Sequence, residues 1–130
     1  MPTIGNLYTR EEIAAQLGGG VIEYLPNVNE KIVCACLRLD YNPDAPEIIL
    51  PGLKPPVQRT AELLCQQGGP IPIFIKRDSN AWEFVGDYRV ERFSQDPCVI
   101  LEHEARSGRI VSEGISRVIY MRRDEINSGR

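Results

Sequence analysis

The stretch Ile71-Pro72-Ile73-Phe74-Ile75-Lys76-Arg77-Asp78-Ser79-Asn80-Ala81-Trp82-Glu83-Phe84-Val85-Gly86-Asp87-Tyr88-Arg89-Val90 decides how this chain folds. Two runs rich in branched and aromatic residues flank the turn-forming Asp78-Ser79-Asn80, the pattern of a β-hairpin. In the second run, alternation puts Trp82, Phe84, Tyr88 and Val90 on one face, with Gly86 as a gap between them. A glycine inside a strand marks a bulge or a barrel corner, and Pro72 points to a bulge or a sheet edge.

Downstream, Asp96-Pro97 reads as a turn into a strand at Cys98-Val99-Ile100-Leu101, and Ser107-Gly108 as a hairpin tip before a strand from Arg109 to Tyr120. Upstream, Pro55-Pro56 opens a helix whose Val57, Ala61, Leu64 and Cys65 fall on one stripe, and Gly68-Gly69 closes it. Glu47 to Leu50 is a short strand ended by Pro51-Gly52. The run Ile32-Val33-Cys34-Ala35-Cys36-Leu37 is apolar on both faces, as in a strand at the centre of a fold. It is preceded by a strand at Val21 to Leu25 and a turn at Pro26-Asn27-Val28-Asn29. Nearest the start, Thr9 and Glu12 form a capping box, with Tyr8 and Ile13 at the staple positions; Gly18 ends this short helix in a left-handed cap.

The fold expected is therefore α+β: a small, partly closed, mainly antiparallel β-barrel flanked by two short helices. Residues 1–121 form a single domain and residues 122–130 a polar tail. With 130 residues, 42% hydrophobic and 25% charged, the composition excludes a disordered chain, a coiled coil and a collagen-like repeat. No apolar run is long enough for a membrane span, and no signal peptide is expected, so the protein reads as cytoplasmic. In that compartment Cys34, Cys36, Cys65 and Cys98 are reduced thiols.

The net charge is −3, which argues against bulk coating of polyanions. Residues 1–65 carry five basic and eight acidic side chains, whereas residues 66–130 carry ten of each. A cationic surface is thus expected to be local and to come from the second half.

Few residues suit chemistry. His103, between Glu102 and Glu104, is a candidate acid–base, although at a strand end it reads as solvated. Cys34 and Cys36 point to one face of a buried strand and lack a second ligand pair for a metal. Gly18-Gly19-Gly20 follows a helix and so cannot cradle a phosphate at a helix start. Neither a metal nor a cofactor is expected.

Two segments remain. The loop Asp40 to Pro46 is stiffened by prolines and carries Tyr41, an aromatic face, and Asn42, an amide that can donate and accept. The hairpin interleaves Lys76, Arg77 and Arg89 with Trp82 and Tyr88, a mixture suited to phosphate contact and base stacking. The plainer reading makes the aromatics core and leaves the cations to water.

Tyr8-Thr9-Arg10-Glu11-Glu12-Ile13, Asn42-Pro43-Asp44-Ala45-Pro46, Ile71 to Arg77 and Trp82 to Val90 resemble poorly characterised bacterial domains appended to restriction-type helicases and nucleases. The last stretch is also similar to the aromatic-Gly-x-Tyr-Arg-Val strand of PUA-like barrels, the superfamily of the SRA and EVE readers of modified bases. The resemblance spans residues 7–93. It implies a barrel whose pocket takes an extruded base, with basic residues on the backbone. The chain departs from those readers in its acidic total and its lack of a long basic arm.

The leading expectation is a non-enzymatic nucleic-acid recognition module, with modified DNA among its targets and a nuclease or helicase as partner. Lys76, Arg77 and Arg89 would meet phosphates; Tyr41, Asn42, Trp82 and Tyr88 would stack or read base edges. The alternatives are a protein-interaction or immunity-type module that binds a basic partner, and a small enzyme using His103.

Overall fold

Thr9 starts the first helix as its sequence requires. Its hydroxyl accepts from the Glu12 amide at 3.1 Å, and the Glu12 carboxylate accepts from the Thr9 amide at 2.8 Å. This capping box satisfies two donors that a helix start leaves free. The computed structural model describes residues 2–108 and 114–124. In chain order these form β1 (Leu7–Tyr8), α1 (Arg10–Leu17), β2 (Asn27–Val28), β3 (Lys31–Ile32), β4 (Ala35–Leu37), β5 (Ile48–Ile49), α2 (Pro55–Gln67), β6 (Ile71–Asp78), β7 (Ala81–Ser94), α3 (Pro97–Ser107) and β8 (Val118–Arg123).

The architecture is α+β with a mainly antiparallel sheet. Its strands lie in the order β4-β6-β7-β8-β5, and β1 also pairs with β7. Among the described residues only β4 and β6 run parallel. The order ends at β4 and β5 without those two pairing, so no closed barrel forms among the described residues. β2 and β3 form a separate hairpin whose turn is Asn29-Glu30, both with positive φ, two residues later than expected.

The run through Cys36 lies at the sheet edge, not its centre, and is nonetheless covered on both faces. Ala35 and Leu37 pack with Ala61 and Leu64 of α2; Cys34 and Cys36 pack with Ile13 of α1. Residues 21–25 form no strand. Instead the Tyr24 carbonyl accepts from the Cys36 amide at 2.8 Å and the Pro26 carbonyl from the Val33 amide at 2.9 Å, so irregular chain covers the open edge.

β7 carries the main correction to strict alternation. Ile73 pairs with Gly86, but Phe74 pairs with Phe84, leaving Val85 as the extra residue of a bulge. Gly86 takes φ +127°, a backbone state that suits glycine. The extra residue reverses the phase. Trp82 and Phe84 pack with Phe74 in the cluster under α1, whereas Tyr88 joins Ile71 and Ile73 in the cluster under α2.

The stretch read as a strand at Cys98-Val99-Ile100-Leu101 is helical. Asp96 accepts from the Cys98 amide at 2.8 Å and Pro97 occupies the first turn, so α3 has a capped start. Val99 and Ile100 pack against Leu50, Ile115 and Val118, so the described residues hold three helices instead of the two expected. Gly108 is its left-handed cap, not a hairpin tip. Of the strand expected from Arg109 to Tyr120, residues 109–113 lie outside the described residues, and β8 begins only at Val118. β8 continues through Arg123, so residues 122 and 123 belong to the sheet and not to a tail.

Candidate functional site

The hairpin tip builds the site by docking on α1. Asn80 accepts from the Arg10 amide at 2.9 Å and donates to the Glu11 carboxylate at 3.0 Å. That hydrogen bond holds the Glu11 carboxyl below its ordinary pKa. Arg10 is thereby placed beside Trp82, its guanidinium carbon 5.2 Å from the ring centroid. Lys76, which pairs with Trp82 across the β6–β7 register, brings its ammonium to 5.8 Å from the same centroid. Arg10 also donates to the carbonyls of Glu23 at 2.8 Å and Gly20 at 3.3 Å, fastening the segment between α1 and β2.

The second wall comes from the loop after β4. Asn42 holds it: its side-chain oxygen accepts from the Leu50 amide at 2.8 Å and its nitrogen donates to the Arg38 carbonyl at 3.3 Å. Arg38 lies over the Tyr41 ring at 5.1 Å and pairs with Asp40 at 2.6 Å. The Arg38 guanidinium holds the Asp40 carboxyl below the usual carboxylate range.

Between these walls is a cavity of about 550 Å3, within the roughly 300–1,000 Å3 usual for small-ligand sites. Among the described residues its charged lining residues are Arg10, Arg38, Lys54 and Lys76, and none is a carboxylate. Tyr24, Tyr41 and Trp82 supply aromatic surface. The mouth is apolar and open, with Ile22 87% exposed and Leu53 50%; the floor is closed, with Arg10 and Trp82 each 6% exposed. Arg10 Nε and Trp82 Nε1 are buried donors with no hydrogen-bond partner among the described residues.

Of the residues singled out from the sequence, Tyr41, Asn42, Lys76 and Trp82 meet in this cavity. Asn42 does so as the brace of its loop, with both ends of its amide engaged. Arg77, Tyr88 and Arg89 are not among the lining residues. Arg77 pairs with Glu83 at 2.7 Å, Arg89 pairs with Asp124 at 3.3 Å, and Tyr88 is core. The expectation that cations would come from the second half is overturned, since Arg10, Arg38 and Lys54 all lie in the first. Arg10 escaped notice because, at a helix start, it reads as a surface residue; only the Asn80 contact, seventy positions away, turns it inward.

His103 is buried on α3, not solvated at a strand end. Its ring meets the Tyr120 hydroxyl at 3.4 Å, and Glu104 is held by the Ile115 amide at 2.9 Å. Cys36 reaches the cavity wall and is hydrogen-bonded to Cys34; that bond and burial raise the Cys34 thiol. Among the described residues no three His, Cys, Asp or Glu side chains gather as metal ligands, and no helix is long and apolar enough to cross a membrane.

These features define a small α+β domain with one face given over to a cationic, aromatic cavity. The chain belongs to the family described as a domain of unknown function (DUF6697), whose profile matches residues 7–117. No curated protein and no solved structure matches the chain.

Proposed function

We propose that this domain is a non-enzymatic nucleic-acid recognition module whose cavity takes one nucleotide of a strand. The observation that supports it is the lining: four cations, of which Arg38 is paired with Asp40, with aromatic rings and no carboxylate among the described lining residues, in a chain whose net charge is −3. A nucleotide has matching parts. Its phosphate calls for the cations, and its base for Tyr41 and for guanidinium planes, on which bases stack as they do on rings. The apolar mouth suits the sugar and neighbouring bases. In this reading the curved sheet serves as in PUA-like readers, a modified base is one candidate occupant, and a nuclease or helicase is the partner that acts on what is bound. Four free cysteines fit a reducing compartment such as the cytoplasm.

Trp82 is the sole tryptophan, so its fluorescence reports the floor of the cavity. Titration with single-stranded oligonucleotides, plain and modified, is expected to change that emission. With about three phosphate contacts, log affinity should fall with log salt at a slope near −2. Emission unchanged at every concentration, together with no shift in a gel, would remove the proposal.

A further inference from the structure

Resting on that reading, we infer that the cavity floor is built for a phosphate monoester, so the nucleotide taken is a strand end and not an extruded internal one. Arg10 is the reason. It is a charged group at 6% exposure, and no carboxylate lies within ion-pair distance of it among the described residues. Its partners are two carbonyls and the Trp82 ring, none of which carries a full negative charge. A buried cation without a counter-charge is costly, and a ligand that supplies the charge recovers that cost.

Three nearby acids are committed elsewhere, Glu11 to Asn80, Glu12 to the Thr9 amide and Glu83 to Arg77, and the exposed Glu23, whose carbonyl Arg10 holds, makes no ion pair with it. Lys76 is the second cation over the same indole ring, and it too makes no ion pair among the described residues. Two unpartnered donors, Arg10 Nε and Trp82 Nε1, are buried beside them. A phosphate monoester carries roughly −1.5 to −2 charges at neutral pH and three acceptor oxygens, which answers two cations and two spare donors. An internal phosphodiester has one charge and two free oxygens. It also needs a nucleoside on each side, whereas the floor at Arg10 and Trp82 is buried, each residue being 6% exposed.

The test uses the intact chain and one single-stranded oligonucleotide in three forms: 5′-phosphorylated, 3′-phosphorylated and with both ends as hydroxyls. Thymidine 5′-monophosphate is the fourth probe, and affinities come from calorimetry. One phosphorylated form is expected to bind about tenfold tighter or more than the hydroxyl form, the gain typical of a charge-assisted contact. Lys76→Ala should remove most of that advantage. Equal binding by all three oligonucleotides, or an advantage untouched in Lys76→Ala, would overturn the monoester site and leave the module reading in place. The monophosphate binding as tightly as the phosphorylated strand would support the monoester site and overturn the strand reading. No binding by any probe would overturn both.

Discussion

The two halves of β7 have the same alternating texture and opposite fates. Before Gly86, Trp82 and Phe84 face α1, and the nearest cations, Arg10 and Lys76, stand over the indole ring without an ion pair among the described residues. After Gly86, Tyr88 faces α2; Arg89 is matched by the mostly buried Asp124, while Arg123 stands over the Tyr88 ring at 5.9 Å and Arg117 over Phe93 at 5.1 Å. Cation count does not separate them, since both have cations beside aromatics. The cavity does: Arg10 and Lys76 line it, whereas Arg89, Arg117 and Arg123 are not among its lining residues, and the bulge assigns the two halves to different faces.

The strongest way to break this contrast is to remove the bulge's glycine. Gly86→Ala places a Cβ at φ +127° and 3.3 Å from the Arg123 guanidinium. We expect a loss of about 1–3 kcal/mol in urea unfolding, the range for a strained backbone position. A neutral result would mean that the sheet absorbs the change and the phase reversal is not fixed there.

Next is the charge itself. Lys76→Glu puts an acid among the cavity cations and should weaken oligonucleotide binding by about tenfold or more, whereas Arg77→Glu, one residue on and directed away, should change it by less than about threefold. Binding titrations at one salt concentration check both. Comparable losses would erase the distinction between the two faces.

A cap comparison sharpens the contrast in a different way. Thr9→Ala and Asp96→Ala each delete a side-chain helix cap and should each cost about 1 kcal/mol of stability. Only the first loosens the helix that carries Arg10, so only the first should also weaken binding. The smallest effect concerns Asp40→Asn. It frees Arg38 from its ion pair and should tighten binding by about twofold, in keeping with an exposed pair. The same release follows from acid. Because Arg38 lowers the Asp40 pKa, the pair persists to a pH below the ordinary carboxylate range and is lost as pH falls through that lowered value. Binding measured against pH should show this step in the wild type and lack it in Asp40→Asn.

Much of the frame was readable before any coordinates. Local rules set α1 and α2: a capping box, a proline pair at a helix start, and apolar residues at helical spacing need no tertiary information. The hairpin around Asp78-Ser79-Asn80 was equally plain. α3 was not, because four apolar residues such as Cys98 to Leu101 fit either period, and the decisive cue was Asp96-Pro97, which serves a turn or a helix start alike. Gly86 was legible as an irregularity but its consequence for Tyr88 was not, since a bulge shows its register only against a partner strand.

The site divides in the same way. Tyr41, Asn42, Lys76 and Trp82 were found because stiff loops and aromatic–cation mixtures are local signals. Arg10, Arg38 and Lys54 were missed because the first half looks acidic. Several of its acids are engaged one by one, Glu12 in a cap, Glu30 with Arg59, Asp44 with Arg106, and that pairing exists only in the fold.

The most direct test of the cavity as the ligand site is a nuclear magnetic resonance titration of 15N-labelled protein with a single-stranded oligonucleotide. The lone tryptophan gives one indole N–H signal. The account predicts that this signal moves on addition, together with backbone amides of residues 38–42 and 75–77. An unmoved indole signal, with shifts gathered instead on α3 and β8, would contradict it.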